Sequence, residues 1–117
     1  DYVARYWDLM ALAGKTPAKV IGADALLKDK PGFEVDFLAR GSISDAAVKA
    51  EKPNVLMPVR GHWSLKVDGF ETILNPGDTA LVLPGESYAL APSMTGEASL
   101  YRVTTTDDAP GATWTGN

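Results

Sequence analysis

The sequence predicts an all-β chain, a sandwich or small barrel, with a short helix or arm at its N-terminus. Pro precedes Gly at Lys30-Pro31-Gly32, Asn75-Pro76-Gly77 and Leu83-Pro84-Gly85. A type II turn requires that pair, because Pro fixes φ and Gly tolerates φ > 0. Asp68-Gly69 stands between two alternating apolar runs, the mark of a tight hairpin. Short runs rich in β-branched and aromatic residues fill the spaces between these breaks, at a spacing that suits a sandwich or barrel.

In chain order, Val3 to Leu12 (VARYWDLMAL) places Tyr6, Leu9, Met10 and Ala13 at helical spacing and closes at Gly14, a suitable C-cap. With Tyr2, Tyr6 and Trp7 so near the terminus, this arm is expected to pack on its own domain, or else on a second subunit. Strands are expected at Ala18 to Leu27, Phe33 to Arg40, Val55 to Arg60, His62 to Val67, Phe70 to Leu74, Thr79 to Leu83, Ser87 to Ala91 and Glu97 to Thr105. Between them, Ser44 to Lys52 (SDAAVKAEK) reads as a helical turn or a loop, with Ser44 as cap and Pro53 as stop. The tail over 106–117 is turn-rich, with Trp114 as its one anchor, and no linker divides the single domain over 1–117 from its arm over 1–16.

The 117 residues carry 11 Lys plus Arg against 15 Asp plus Glu, a net charge of −4. With 45% hydrophobic and 22% charged residues, a packed core is expected and disorder is not. No basic run offers the footprint that nucleic acid needs, and no apolar stretch is long enough to span a bilayer. A soluble, cytoplasmic protein is expected. Zero Cys removes disulfides, thiolate metal sites and cysteine nucleophiles, and a single His excludes a His-rich centre by counting.

The run from Val59 through Gly69 (VRGHWSLKVDG), followed by Leu74-Asn75-Pro76-Gly77-Asp78 and Leu83-Pro84-Gly85-Glu86, resembles the central part of a cupin. The match covers Asn54 to Pro92. It implies a jelly-roll β-barrel, commonly dimeric, with a ligand cavity inside. It also implies a metal held by two His and a Glu from a first motif and one His from a second. If Gly61 closes the first motif, its Glu position falls on Asn54 and its His positions on Val48 and Ala50, or on Ala47 and Lys49 with the longer spacer. If Gly77 opens the second, its His position is Tyr88 and its Asn position is Pro92. The turns of the family are kept and the ligands are not. A phenol and an amide cannot hold a divalent ion against water, so no metal or other cofactor is expected. An all-carboxylate site drawn from Asp36, Asp45 or Glu51 is what counting leaves, and is not expected either.

His62 shares a strand face with Ser64, Lys66 and Asp68, opposite Trp63, Leu65 and Val67, so it is expected at the surface. Tyr88 stands where the family directs a ligand-binding side chain into the barrel, and either serves a ligand or fills the space of the missing metal. Arg60 ends an apolar run (VLMPV) and, if it points inward, would join Tyr88 and Asn54 in a polar cluster for a small carboxylic acid or sugar acid. Trp63, Met57, Leu81 and Tyr101 are expected to line the same cavity, and Arg102 to face solvent.

The expected function is a metal-free domain that binds a small organic molecule, anionic or carbohydrate-derived, or that serves as a homodimerisation module. An alternative is a small isomerase, lyase or dioxygenase-like enzyme acting on an organic acid or sugar, with Tyr88 as acid, Arg60 as anion clamp and Asp36 or Glu34 as the nearest base. In a third reading, the chain is part of a larger enzyme whose metal lies elsewhere, consistent with Asp1 at its start instead of Met.

Overall fold

Tight turns joining strands of alternating polarity fold this chain into two stacked sheets, with a helix laid over one of them. The computed structural model describes residues 3–44 and 46–106. Helix α1 (Tyr6–Leu12) leads into β1 (Ala18–Gly22), β2 (Leu27–Lys28) and β3 (Phe33–Ala39). A 3-10 turn (Arg40–Ser42) follows, then β4 (Val48–Lys49), β5 (Asn54–Arg60), β6 (Trp63–Val67), β7 (Phe70–Leu74), β8 (Ala80–Val82), β9 (Ser87–Pro92) and β10 (Ser99–Thr105). Six strands form one sheet in the order β2-β1-β3-β10-β5-β8, and four form the other in the order β4-β9-β6-β7.

The expected turns are present. Gly77 and Gly85 have φ of 91° and 92°, and the β6–β7 hairpin turns on Asp68 (φ 49°) and Gly69 (φ 91°). Asn75 N–H donates to Asp78 Oδ2 at 2.8 Å, and Leu83 N–H to Glu86 Oε1 at 2.7 Å, so the acidic residue after each of these two Pro-Gly pairs closes its own turn. Gly61 is required for two reasons: its φ is 73°, and a methyl there would lie 2.6 Å from the Glu97 carbonyl oxygen.

Two expectations are corrected. The run from Ala18 to Leu27 is not one strand, because Gly22-Ala23-Asp24 turns the chain and the Gly22 carbonyl accepts the Asp29 N–H at 3.0 Å. Its far end returns as β2, parallel to β1. Ser44 to Lys52 is neither a helical turn nor wholly a loop. Ser44 Oγ accepts the Ala46 N–H at 3.2 Å, as a cap would, but Val48 and Lys49 then pair with Tyr88 and Ser87 of β9. Edge pairing to a preformed strand outweighs the weak helix preference of three alanines. Tyr2, Asp45 and the tail with Trp114 lie outside the described residues.

Each face of the larger sheet has its own core. Inward, Leu56 and Leu100 meet Trp63, Leu65 and Leu90 of the smaller sheet. Outward, Val35, Phe37 and Ala39 are covered by Leu9 of α1 and by Ala13, which caps it, with Tyr6, Met10, Tyr101 and Val103 at the margin. Tyr6 meets Phe37 edge-on at 5.5 Å and Phe37 meets Tyr101 at 5.2 Å. The Tyr6 hydroxyl donates to Glu97 Oε2 at 3.0 Å and lies 2.7 Å from Ser99 Oγ. The arm therefore packs on its own domain.

Leu9→Ala is expected to cost about 2–5 kcal/mol in urea unfolding, since Leu9 is fully buried, whereas Leu12→Ala, at a residue 54% exposed, should stay within about 0.5 kcal/mol of the parent. Burial pushes the Tyr6 phenol above its ordinary value of 10.0; the Ser99 hydrogen bond opposes the rise and the Glu97 carboxylate adds to it. The fold thus holds this proton more tightly than the unfolded chain does. Its contribution is complete below about pH 10 and is lost as the pH rises through the folded value. The stability advantage of the parent over Tyr6→Phe, measured in urea, should be smaller at about pH 11 than at about pH 8, and an equal advantage would contradict this.

Candidate functional site

Strand parity decides which side chains enter the space between the sheets. On β10, Leu100 is in the inner core while Tyr101 and Val103 pack toward α1, so Arg102 points inward with Leu100. On β3 the same alternation turns Asp36 inward, and the register sets Asp36 directly opposite Arg102. Arg102 Nη2 donates to Asp36 Oδ2 at 3.0 Å, with the two side chains only 23% and 22% exposed. From the facing sheet, Tyr88 of β9 reaches across and donates to Asn54 Oδ1 at 3.1 Å; the two residues are 4% and 7% exposed.

These four side chains form one polar cluster. Burial disfavours the Arg102 charge, but the Tyr88 oxygen and the Asp36 carboxylate beside it outweigh that and hold the guanidinium above its ordinary range. Arg102 is therefore a fixed cation and a fixed donor. Tyr88 and Arg102 border a half-open cavity of about 190 Å³ whose other walls include Leu38, Ile43, Val48 and Leu90 with the hydroxyls of Ser42 and Ser44. A larger groove of about 530 Å³ runs over the outer face of the smaller sheet. There Ser64 donates to Glu71 Oε2 at 2.6 Å, and Lys66 stands opposite Glu71 in the β6–β7 register. The inner cavity, with a fixed charge and a buried phenol at its edge, is the better candidate.

The structure brings together two of the residues the sequence pointed to, Asn54 and Tyr88, and separates the others from them. Arg60 is corrected. Parity along β5 would send it inward, but a bulge shifts the β5–β10 register between Pro58 and Arg60. It turns outward, 53% exposed, pairs with Glu97 Oε2 at 3.1 Å and lies 5.1 Å and 5.3 Å from the Tyr6 and Trp7 ring centres. Tyr101 packs in the outer core, and Met57 and Leu81 follow it onto that face through the pairs Tyr101↔Met57 and Val55↔Leu81. None of these three lines the cavity. Trp63 is fully buried in the inner core, its Nε1 donating to the Ser99 carbonyl at 3.2 Å. His62 sits apart at the surface, Nδ1 2.7 Å from Asn75 Oδ1.

Arg102 is the residue that sequence reasoning missed, and its expected solvent face is corrected to an inward one. The alternation in SLYRV was visible, but the face opposite Arg102 is covered by α1, so both faces of β10 are enclosed. A signal was available in the pairing of an Asp on one expected strand with an Arg on another. Asp36, named as a nearby base, is engaged with Arg102 instead of standing ready for a proton.

The resemblance assigned metal-ligand positions to Asn54 and Tyr88, and these do meet in space. An amide and a phenol beside a guanidinium do not fit a divalent ion, since the donors are weak and the neighbouring cation repels it. Among the described residues no group of three His, Asp or Glu gathers to offer another site. No helix among them is long and apolar enough to cross a membrane.

No family model and no curated protein matches the sequence. Among solved structures the chain is similar to a protein of Neisseria meningitidis (TM-score 0.68, 16% identity, covering 91% of this chain and 100% of that one). It is similar also to a cupin 2 domain-containing protein from Halorhodospira halophila (TM-score 0.66, 20% identity, 81% of this chain and 66% of that one). A cupin-2 domain containing protein from Shewanella frigidimarina gives a TM-score of 0.63 at 9% identity, over 89% of this chain and 95% of that one. At such identities the likeness is one of fold, and with two stacked sheets of this strand order it means that the chain has the cupin fold, a jelly roll of β-strands.

Proposed function

We propose that this chain is a small-molecule-binding domain of cupin fold that works without a metal. The observation that carries the reading is the fixed Arg102 guanidinium and the buried Tyr88 phenol at the edge of a cavity with largely apolar walls. Ligand sites commonly combine an apolar enclosure with a few oriented polar groups. At about 190 Å³ the cavity is small. A closed cavity of about 150 Å³ accommodates benzene, so the enclosed part of the ligand is the size of a single ring or an equivalent short chain.

A compound that binds the folded state raises the melting temperature by mass action. In a thermal-shift panel of small organic compounds and divalent ions, at least one organic compound should raise Tm, and the rise should vanish in Val48→Trp. Val48 lines the cavity yet is 51% exposed, so the bulky side chain can close the mouth without disturbing the core. A shift with a metal ion alone would contradict the proposal.

Dimerisation is a second reading, supported by the free edge strand β7, where Phe70 is 82% and Ile73 46% exposed. Pairing two copies along this edge would cover both. Sedimentation at tens of micromolar should then show a dimer that Phe70→Asp returns to a monomer, and a monomeric parent protein would rule it out.

A further inference from the structure

We propose that the cavity selects an uncharged polar ring compound over the corresponding carboxylate, because Asp36 already neutralises Arg102. This deepens the small-molecule reading above and rests on it. Among the described residues lining the cavity, Arg102 is the sole charged side chain. Its charge is not available to an anion, since the Asp36 carboxylate sits 3.0 Å away and the pair is more than three-quarters enclosed. A ligand carboxylate placed against the guanidinium would also be placed near Asp36. The attraction and the repulsion would largely cancel, leaving the desolvation cost of the anion unmet.

An uncharged carbonyl avoids that cost and still gains from the site. A guanidinium has five N–H donors in a rigid fork, and Asp36 and the Tyr88 oxygen engage part of it. The remainder can donate to an amide or ketone oxygen, with charge assistance. The apolar part of the ligand meets Leu38, Ile43 and Leu90, and the Ser42 and Ser44 hydroxyls on the same wall are uncharged, so they add no pull on a carboxylate's charge. Asp36 thus converts an arginine from an anion trap into an oriented hydrogen-bond donor.

Benzamide and benzoate differ in charge and hardly in shape, so calorimetric titration with each tests the proposal. The parent protein should bind benzamide about tenfold tighter than benzoate or better. In Asp36→Asn the guanidinium loses its counter-charge and the order should reverse. If that variant fails to fold, the order in the parent protein decides alone, supported by benzamide affinity that does not change with added salt. A parent protein that prefers benzoate, with binding abolished by Val48→Trp, would overturn the selectivity and leave the pocket reading standing. Binding of neither probe, or binding untouched by Val48→Trp, would overturn the pocket reading and the inference with it.

Discussion

Arg102 lies on the inward face of a central strand, and a guanidinium enclosed there is tolerated only with a carboxylate against it. Asp36 supplies that carboxylate from the neighbouring strand at 3.0 Å. The same pair constrains the register between β3 and β10. A slip of one residue on either strand would turn that strand's charged residue, Arg102 or Asp36, into the apolar layer under α1, carry its aromatic neighbour, Tyr101 or Phe37, into the space between the sheets, and leave the other charge unpaired. An enclosed charge pair specifies one arrangement by making its neighbours costly, whatever its net contribution to stability. Hydrophobic burial drives the two sheets together, and the Arg102–Asp36 contact settles how these two strands line up within that assembly.

The two arginines of the sequence analysis divide their work according to one bulge. Without it, β5 would carry Arg60 inward at the end of the strand. With it, Arg60 swings to the outer surface, where Glu97 and the rings of Tyr6 and Trp7 receive it. Gly61 makes this possible, because its backbone passes so close to Glu97 and Ala98 that a side chain would collide. The outer cluster fastens α1 to the sheet and leaves the interior to Arg102. A helix held on one face and a cavity behind the other are thus separate consequences of one strand, β10, whose alternate residues face each way.

Turn chemistry was the most legible part of the fold. Pro-Gly pairs and Asp68-Gly69 identify their turns from local sterics alone, and the strands between them follow. Asn54 and Tyr88 were legible through the resemblance, since their spacing from Gly61 and Gly77 set both at ligand positions of the family's two motifs. What escaped were features that depend on contacts distant in sequence. β4 exists because β9 is beside it. Arg60 faces outward because of a bulge that no local pattern announces. Arg102 faces inward because α1 covers the other side of its sheet, and alternation reveals two faces without saying which is wet.

The central claim is that Arg102 and Asp36 act as one unit inside the barrel, and a double-mutant cycle measures that directly. Arg102→Met, Asp36→Leu and the combined variant would be compared with the parent protein by urea unfolding. Each single change strands the other charge in an enclosed site, so the double variant should be more stable than the sum of the single effects predicts, with a coupling of about 0.5–3 kcal/mol. Additive effects would mean that the two side chains do not depend on each other, and would contradict the account.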